Sequence, residues 1–174
     1  HNDSLVIEAK GIYSIEKFIV SRRLMYWQVY LHKTVVSAEV MLINILKRAK
    51  ELLRGGSELF CTPALMKFML HDYSKKDFQS DDSLLETFAQ LDDSDITASV
   101  KVWGSHPDTI LSFLCKGMVN RHLFKIKIQD SPFDEKLIQE LREKIKQNFK
   151  LKDNELNYFL LHEIGRHTSE LQSP

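Results

Sequence analysis

The sequence predicts a mainly α-helical fold: a bundle-like helical body over residues 1–122, then a small strand–helix–strand (α+β) unit over 123–174. Three observations carry this. Breakers are scarce, with 6 Gly and 4 Pro in 174 residues, and none falls between Gly11 and Gly55; chain without breakers can run helical for many turns. Helix-start residues recur at Ser14, Thr62-Pro63, Ser94, Pro107 and Ser131-Pro132. The apolar period then changes to alternation at Leu123-Phe124-Lys125-Ile126-Lys127-Ile128, which reads as a strand.

Taken in order, Leu5-Val6-Ile7 suggests a brief strand and Gly11 punctuates it. From Ser14 to Leu53 the chain reads as one very long helix or two abutting ones, stopped by Gly55-Gly56. The β-branched run Thr34-Val35-Val36 is the expected place for a bend. Thr62-Pro63 opens a short helix to about Leu70, and the polar, acidic residues 71–82 read as a loop. Ser83 to Gln90 and Ser94 to Trp103 read as short helices, and Pro107 opens another to about Asn120. After the strand at Leu123, a helix from Ser131-Pro132 to about Phe149 carries Leu137, Leu141 and Ile145 at helical spacing. Asn157 to Ile164 reads as a second strand, and Gly165 to Pro174 as a polar tail. A two-stranded sheet rarely stands alone, so it would dock on the body or continue in strands beyond Pro174.

Composition narrows the functional classes. Apolar residues make up 43% of the chain, enough for a core and too many for a disordered segment. No apolar run approaches the roughly 18 residues of a membrane span. The first residues, His1 to Ser4, do not resemble a signal peptide, and a start on His1 suggests a processed or truncated piece. Cys61 and Cys115 sit among apolar neighbours and form no C-x-x-C pair, as expected of buried thiols in a cytoplasmic protein. The net charge is zero, which argues against nucleic-acid binding. The charge is unevenly spread, however. Residues 10–54 hold nine Lys/Arg against three Glu, and residues 72–95 hold eight Asp/Glu against two Lys. The basic stretch could face an anion, or the two stretches could complement each other.

Familiar chemical motifs are absent: no Gly-rich phosphate loop, G-x-S-x-G, H-E-x-x-H or zinc spacing. His71-Asp72 could ligate a metal, but it lacks matching partners and reads more simply as a helix end. No metal site and no complete catalytic set is therefore expected in this chain. The informative stretch is Ser21 to Lys33, S-R-R-L-M-Y-W-Q-V-Y-L-H-K. On a helix, Tyr26, Tyr30 and Lys33 fall about 40°, 80° and 20° from Arg22. A guanidinium, two phenols and an ammonium along one stripe could follow a nucleoside triphosphate. An amphipathic helix that packs its Tyr and Trp while Arg and Lys snorkel would show the same pattern.

Arg22 and Tyr30, with His32-Lys33 and the preceding Lys10-Gly11-Ile12-Tyr13-Ser14-Ile15-Glu16, resemble the helix after the catalytic core of HD-domain deoxynucleoside triphosphate triphosphohydrolases. Leu91 to Ile96, His106-Pro107-Asp108 and Arg121-His122-Leu123-Phe124-Lys125 resemble later segments of that family in the same order, closest to its bacterial, dGTPase-like branch. The resemblance spans about residues 5–129. It implies hydrolysis of a dNTP to deoxynucleoside plus triphosphate, organised by a divalent metal whose His, His-Asp and Asp ligands precede the segment seen here. The chain itself would then bind no cofactor. The resemblance gives Arg22 a contact with the substrate phosphates and Tyr30 one with the deoxyribose. Tyr26 stands where the eukaryotic branch has a His near the phosphates, and Lys33 joins this substrate-binding set. Lys10, Arg121 and Lys125 match positions that hold a regulatory nucleotide in regulated members. A deoxynucleoside triphosphate and other copies of the chain, as a dimer or higher homo-oligomer, are the expected partners, with no membrane involved. The alternative is a non-catalytic nucleotide-binding or oligomerisation module.

Overall fold

A computed structural model describes residues 8–127 and 131–160. Its elements are α1 (Ile12–Met25), a π-helical turn (Tyr26–Tyr30), α2 (Lys33–Arg54), α3 (Pro63–Leu70), α4 (Lys75–Ser80), α5 (Asp82–Ala89), α6 (Asp93–Trp103), α7 (Thr109–Val119) and α8 (Glu135–Phe149). Short 3₁₀ turns occupy Ala9–Gly11 and Asp153–Tyr158. No single helix among the described residues is long and apolar enough to cross a membrane.

The spine is α2. Met41, Ile45, Ala49 and Leu53 follow one another every four residues along its buried face. That face packs on helices α7 and α3, and Ile110, Leu111, Leu114 and Cys115 of α7, Leu65 and Met69 of α3 and Val100 and Trp103 of α6, which packs on α7, join it in one core. The indole of Trp103 donates to the carbonyl of Phe60 at 2.8 Å, which fixes the loop before α3. The end of α2 follows directly from Gly55-Gly56. Gly56 takes φ 85°, its N–H reaches Leu53 O at 3.1 Å, and Ser57 N–H reaches Leu52 O at 2.9 Å. This double closure satisfies the last carbonyls of the helix.

At Gly117 of α7 the spine comes unusually close. A Cβ there would lie 2.5 Å from Met41 Cε and 3.1 Å from the His122 carbonyl. Met41 is fully buried, so its terminal methyl can move only within the packed core, and the His122 carbonyl is main chain and yields little. Gly117→Ala is therefore expected to destabilise the fold by about 1–2 kcal/mol, since overpacking outweighs the gain in helix propensity. The midpoint of denaturant unfolding reads this directly, and a rise in the midpoint would contradict it.

Three carboxylates of the acidic stretch cap helices. Asp77 accepts from the Ser74 N–H and hydroxyl, Asp81 from Ser83, and Asp92 from the N–H groups of Ser94 and Asp95. These bonds hold all three carboxyls below the ordinary carboxylate range. Part of residues 71–82, expected to be loop, is therefore the short helix α4. Phe68 of α3 gathers the rings of Tyr73, Phe78 and Phe88 around itself at 5.5–6.2 Å, pinning α4 and α5 to the body.

The strand–helix–strand unit is not formed among the described residues, which contain no strand. The helix of that unit is present as α8, but the described parts of its expected flanking strands do not form strand. Residues 122–127 are extended without a ladder partner. Leu123 and Phe124 pack on the core instead, and the Ser37 hydroxyl donates to the Phe124 carbonyl at 2.8 Å. Asn157 and Tyr158 belong to the 3₁₀ turn, where Asn44 of α2 donates to the Tyr158 carbonyl at 3.1 Å. The alternation at Leu123 thus reflects one face lying on a helical body, and α2 side chains take up main-chain groups that a second strand would have paired. The remainder of the second expected strand, the strand at Leu5-Val6-Ile7 and the tail from Gly165 lie outside the described residues.

Candidate functional site

α1 runs without a breaker from Gly11, but its end is irregular. Leu31 N–H donates to Tyr26 O at 2.9 Å, five residues back, which closes the π turn. His32 is then extended, and its Nδ1 accepts from Thr34 N–H at 3.3 Å to start α2. The two helical stretches meet at a 59° bend. The bend therefore lies at Leu31-His32, not at Thr34-Val35-Val36, because a capping imidazole ended the ladder before the β-branched run.

No residue of α1 or of the π turn is buried. The Tyr and Trp of this stretch therefore do not pack into the helical body. Tyr26 and Tyr30 lie with ring centroids 5.0 Å apart, tilted by 41°. The Arg22 guanidinium sits 5.8 Å from the centre of the Tyr26 ring. Phe18, Ser21, Arg22, Met25, Tyr26 and Tyr30 line an open groove of about 410 Å³. That volume suits a nucleotide-sized ligand. Every lining residue comes from one helical stretch, however, so the groove is one wall of a site.

The predicted stripe is thus met at three of its four positions. Arg22, Tyr26 and Tyr30 are brought together, whereas Lys33 stands beyond the bend and does not line their groove. A regular 100° step cannot be carried across a π turn and a break. Phe18, Ser21 and Met25 were not singled out from the sequence, although Phe18 and Met25, at four- and three-residue spacing from Arg22, share its face. Among the described residues Arg22 has no carboxylate partner; its recorded side-chain interaction is the Tyr26 ring.

The other candidates are dispersed. Lys10 lies in the first 3₁₀ turn, Arg121 follows α7 with φ 59°, and Lys125 lies in the extended segment. All three are exposed, and no hydrogen bond, ion pair or ring contact joins them among the described residues. Asp72 of His71-Asp72 is held by Lys50 and Arg54, whose hydrogen bonds bring its carboxyl down to about 2. Here the basic and acidic stretches do complement each other. Among the described residues no three His, Cys, Asp or Glu side chains form a group that could hold a metal, so the divalent ion implied by the resemblance finds no ligand set there. Burial pushes the Cys61 thiol up to about 11 and the Cys115 thiol to about 12, which leaves both un-ionised and unreactive at neutral pH.

The strongest electrostatic feature is structural. Arg48 of α2 donates from Nε and Nη2 to both carboxylate oxygens of Asp108, at 3.2 and 2.6 Å. It also pairs with Glu155 at 3.4 Å and lies 5.7 Å from the centre of the Tyr158 ring. Asp108 in turn caps α7 through the Leu111 N–H at 2.8 Å. Burial opposes ionisation of Asp108, but the Arg48 and Leu111 hydrogen bonds outweigh it and hold the carboxyl below its ordinary range.

Comparison with known proteins gives three findings. Residues 1–57 match the family described as HD associated region. The chain is 39% identical over 123 residues to the uncharacterized protein YwfO of Bacillus subtilis (strain 168), a match covering 71% of this chain and 26% of that protein. The crystal structure of a phosphohydrolase from Bacteroides thetaiotaomicron VPI-5482 is 51% identical, with a TM-score of 0.83 over 91% of this chain and 40% of that one. The chain thus spans well under half the length of the relatives it matches.

Proposed function

We propose that this chain is the substrate-side and assembly region of a metal-dependent HD-type phosphohydrolase that hydrolyses deoxynucleoside triphosphates. One observation carries the reading: the guanidinium of Arg22, which has no carboxylate partner among the described residues, is lined up with Tyr26 and Tyr30 on an exposed helical stretch. That helix lies inside the stretch matching an HD associated region, in a chain whose fold resembles a phosphohydrolase.

The exposure of α1 has a physical meaning. Phe18, Ile19 and Tyr26 lie within about 60° of Arg22, whereas Tyr13, Val20 and Leu24 lie on the opposite side at about 160–200°. All six are exposed large apolar residues. A helix apolar on opposite faces is a buried helix in its complete setting. In this reading further polypeptide of the same enzyme encloses α1, supplies the second wall of the groove and holds the metal. Enclosure removes water from Arg22 and strengthens its attraction for phosphate oxygens. Tyr30 then offers a ring face and hydroxyl to the sugar, and the groove orients the triphosphate along the π turn.

The overall reaction adds water across the bond between the 5′ oxygen and the α-phosphorus. The water oxygen stays on triphosphate, and its proton goes to the departing 5′ hydroxyl. Lys10, Arg121 and Lys125 remain candidates for a regulatory nucleotide at subunit contacts of a homo-oligomer, in a cytoplasmic enzyme.

The test is direct. The full-length protein, incubated with each dNTP and a divalent metal, is expected to release deoxynucleoside and triphosphate in equal amounts, and chelation is expected to abolish the release. Monophosphate with pyrophosphate as products would move the site to another phosphoryl chemistry. Nucleotide binding without turnover would leave the non-catalytic module as the account.

A further inference from the structure

We propose that Tyr26 is a positioning residue for Arg22: its ring face holds the guanidinium in place for an anionic phosphate chain, and its hydroxyl does not carry the contact. The inference rests on the substrate-side reading of this groove.

The geometry is a short ladder. The Arg22 guanidinium lies 5.8 Å from the Tyr26 centroid, and the Tyr26 ring lies 5.0 Å from that of Tyr30. Arg22 near the end of α1 and Tyr26 at the start of the π turn are four apart, as are Tyr26 and Tyr30 along that turn. Residues at this spacing share a helix face, and the wider π turn keeps the second pair nearly in line. The Tyr26 backbone is fixed on both sides. Its N–H donates to the carbonyls of Arg22 and Arg23, and its carbonyl accepts from Leu31. The ring is therefore tied to the same turn that carries Arg22, and Tyr30 backs it.

The choice of partner matters chemically. A carboxylate beside Arg22 would occupy its donors and cancel its charge. A ring face attracts the cation through its quadrupole and uses none of the five N–H donors. Arg22 is thus held with its charge and its hydrogen-bonding edge available to phosphate oxygens. No hydrogen bond of the Tyr26 hydroxyl is recorded among the described residues. The π turn accordingly places the two tilted rings behind the arginine.

Binding of inorganic tripolyphosphate to the full-length protein, followed by titration calorimetry alongside steady-state dNTP hydrolysis, tests this. Tyr26→Leu is expected to weaken tripolyphosphate binding about tenfold, between the sizes of an exposed and a desolvated cation–π contact. Tyr26→Phe is expected to restore it, because the face is kept. Added to Arg22→Ala, Tyr26→Leu is expected to change binding no further. Equal losses in the Phe and Leu variants would overturn the proposal, since the hydroxyl would then be the contact. A full additional loss in the Arg22→Ala background would also overturn it, since Tyr26 would then act independently. If Tyr26→Leu fails to fold, the Phe variant still decides between face and hydroxyl. Wild-type binding by Arg22→Ala alone would instead sink the substrate-side reading, and this inference with it.

Discussion

Arg22→Ala in the full-length protein is expected to lower kcat/KM for dNTP hydrolysis by about 10²–10³, the loss seen when a preorganised charged or hydrogen-bonding donor is removed from a reacting centre. The effect should fall mainly on the chemical step, because triphosphate gains affinity for a fork of N–H donors as charge shifts onto it. Stability should hardly change. Among the described residues Arg22 has no ion pair whose loss would strand a partner. Arg22→Lys should recover only part of the loss, since a point charge does not reproduce a planar fork. Steady-state kinetics together with a thermal melt separate the outcomes. Wild-type kcat/KM in a folded Arg22→Ala protein would remove Arg22 from the site.

The second large effect concerns stability. Asp108→Asn is expected to cost about 3 kcal/mol, because it leaves the partly buried Arg48 without its main counter-charge. Glu155, Glu51 and the Tyr158 ring remain as partial compensation, which keeps the loss at the low end for a broken buried pair. Asn still caps α7, so Asp108→Ala should cost about 1 kcal/mol more. The pair also sets a pH dependence. The folded Asp108 carboxyl is depressed, so its stabilisation is complete above the unfolded value of about 3.9 and is lost as pH falls through the folded value. The Asn variant has no such group and should show a flatter decline in stability below about pH 4. Denaturant melts across that range read both the offset and the slope.

Where the sequence was readable, the signals were local. Gly55-Gly56 had to end α2 because Gly56 takes φ 85°. Thr62-Pro63 opened α3 at Pro63 and α8 ended at Phe149, as the spacing of breakers and apolar residues indicated. The Arg22, Tyr26 and Tyr30 grouping was also legible, because residues four apart on a helix meet whatever surrounds them. α4 was missed because its stability comes from a Ser74–Asp77 capping box and from Phe78 packing on Phe68, and a polar six-residue run does not advertise either.

The sequence by itself determined the helical body, the positions of most helix ends and the face that Arg22, Tyr26 and Tyr30 share. These depend on interactions within a few residues, which composition and spacing record. Tertiary structure decided the rest. The alternation at Leu123–Ile128 promised a strand, yet Ser37 and Asn44 of α2 took up carbonyls at Phe124 and Tyr158, and no sheet formed among the described residues. A lone alternating segment cannot specify its partner, because the hydrogen bonds that make a strand belong to another part of the chain. The same is true of Lys33, which lies beyond a bend fixed by the His32 cap, and of Asp108, whose role appears only when Arg48, 60 residues away, reaches it.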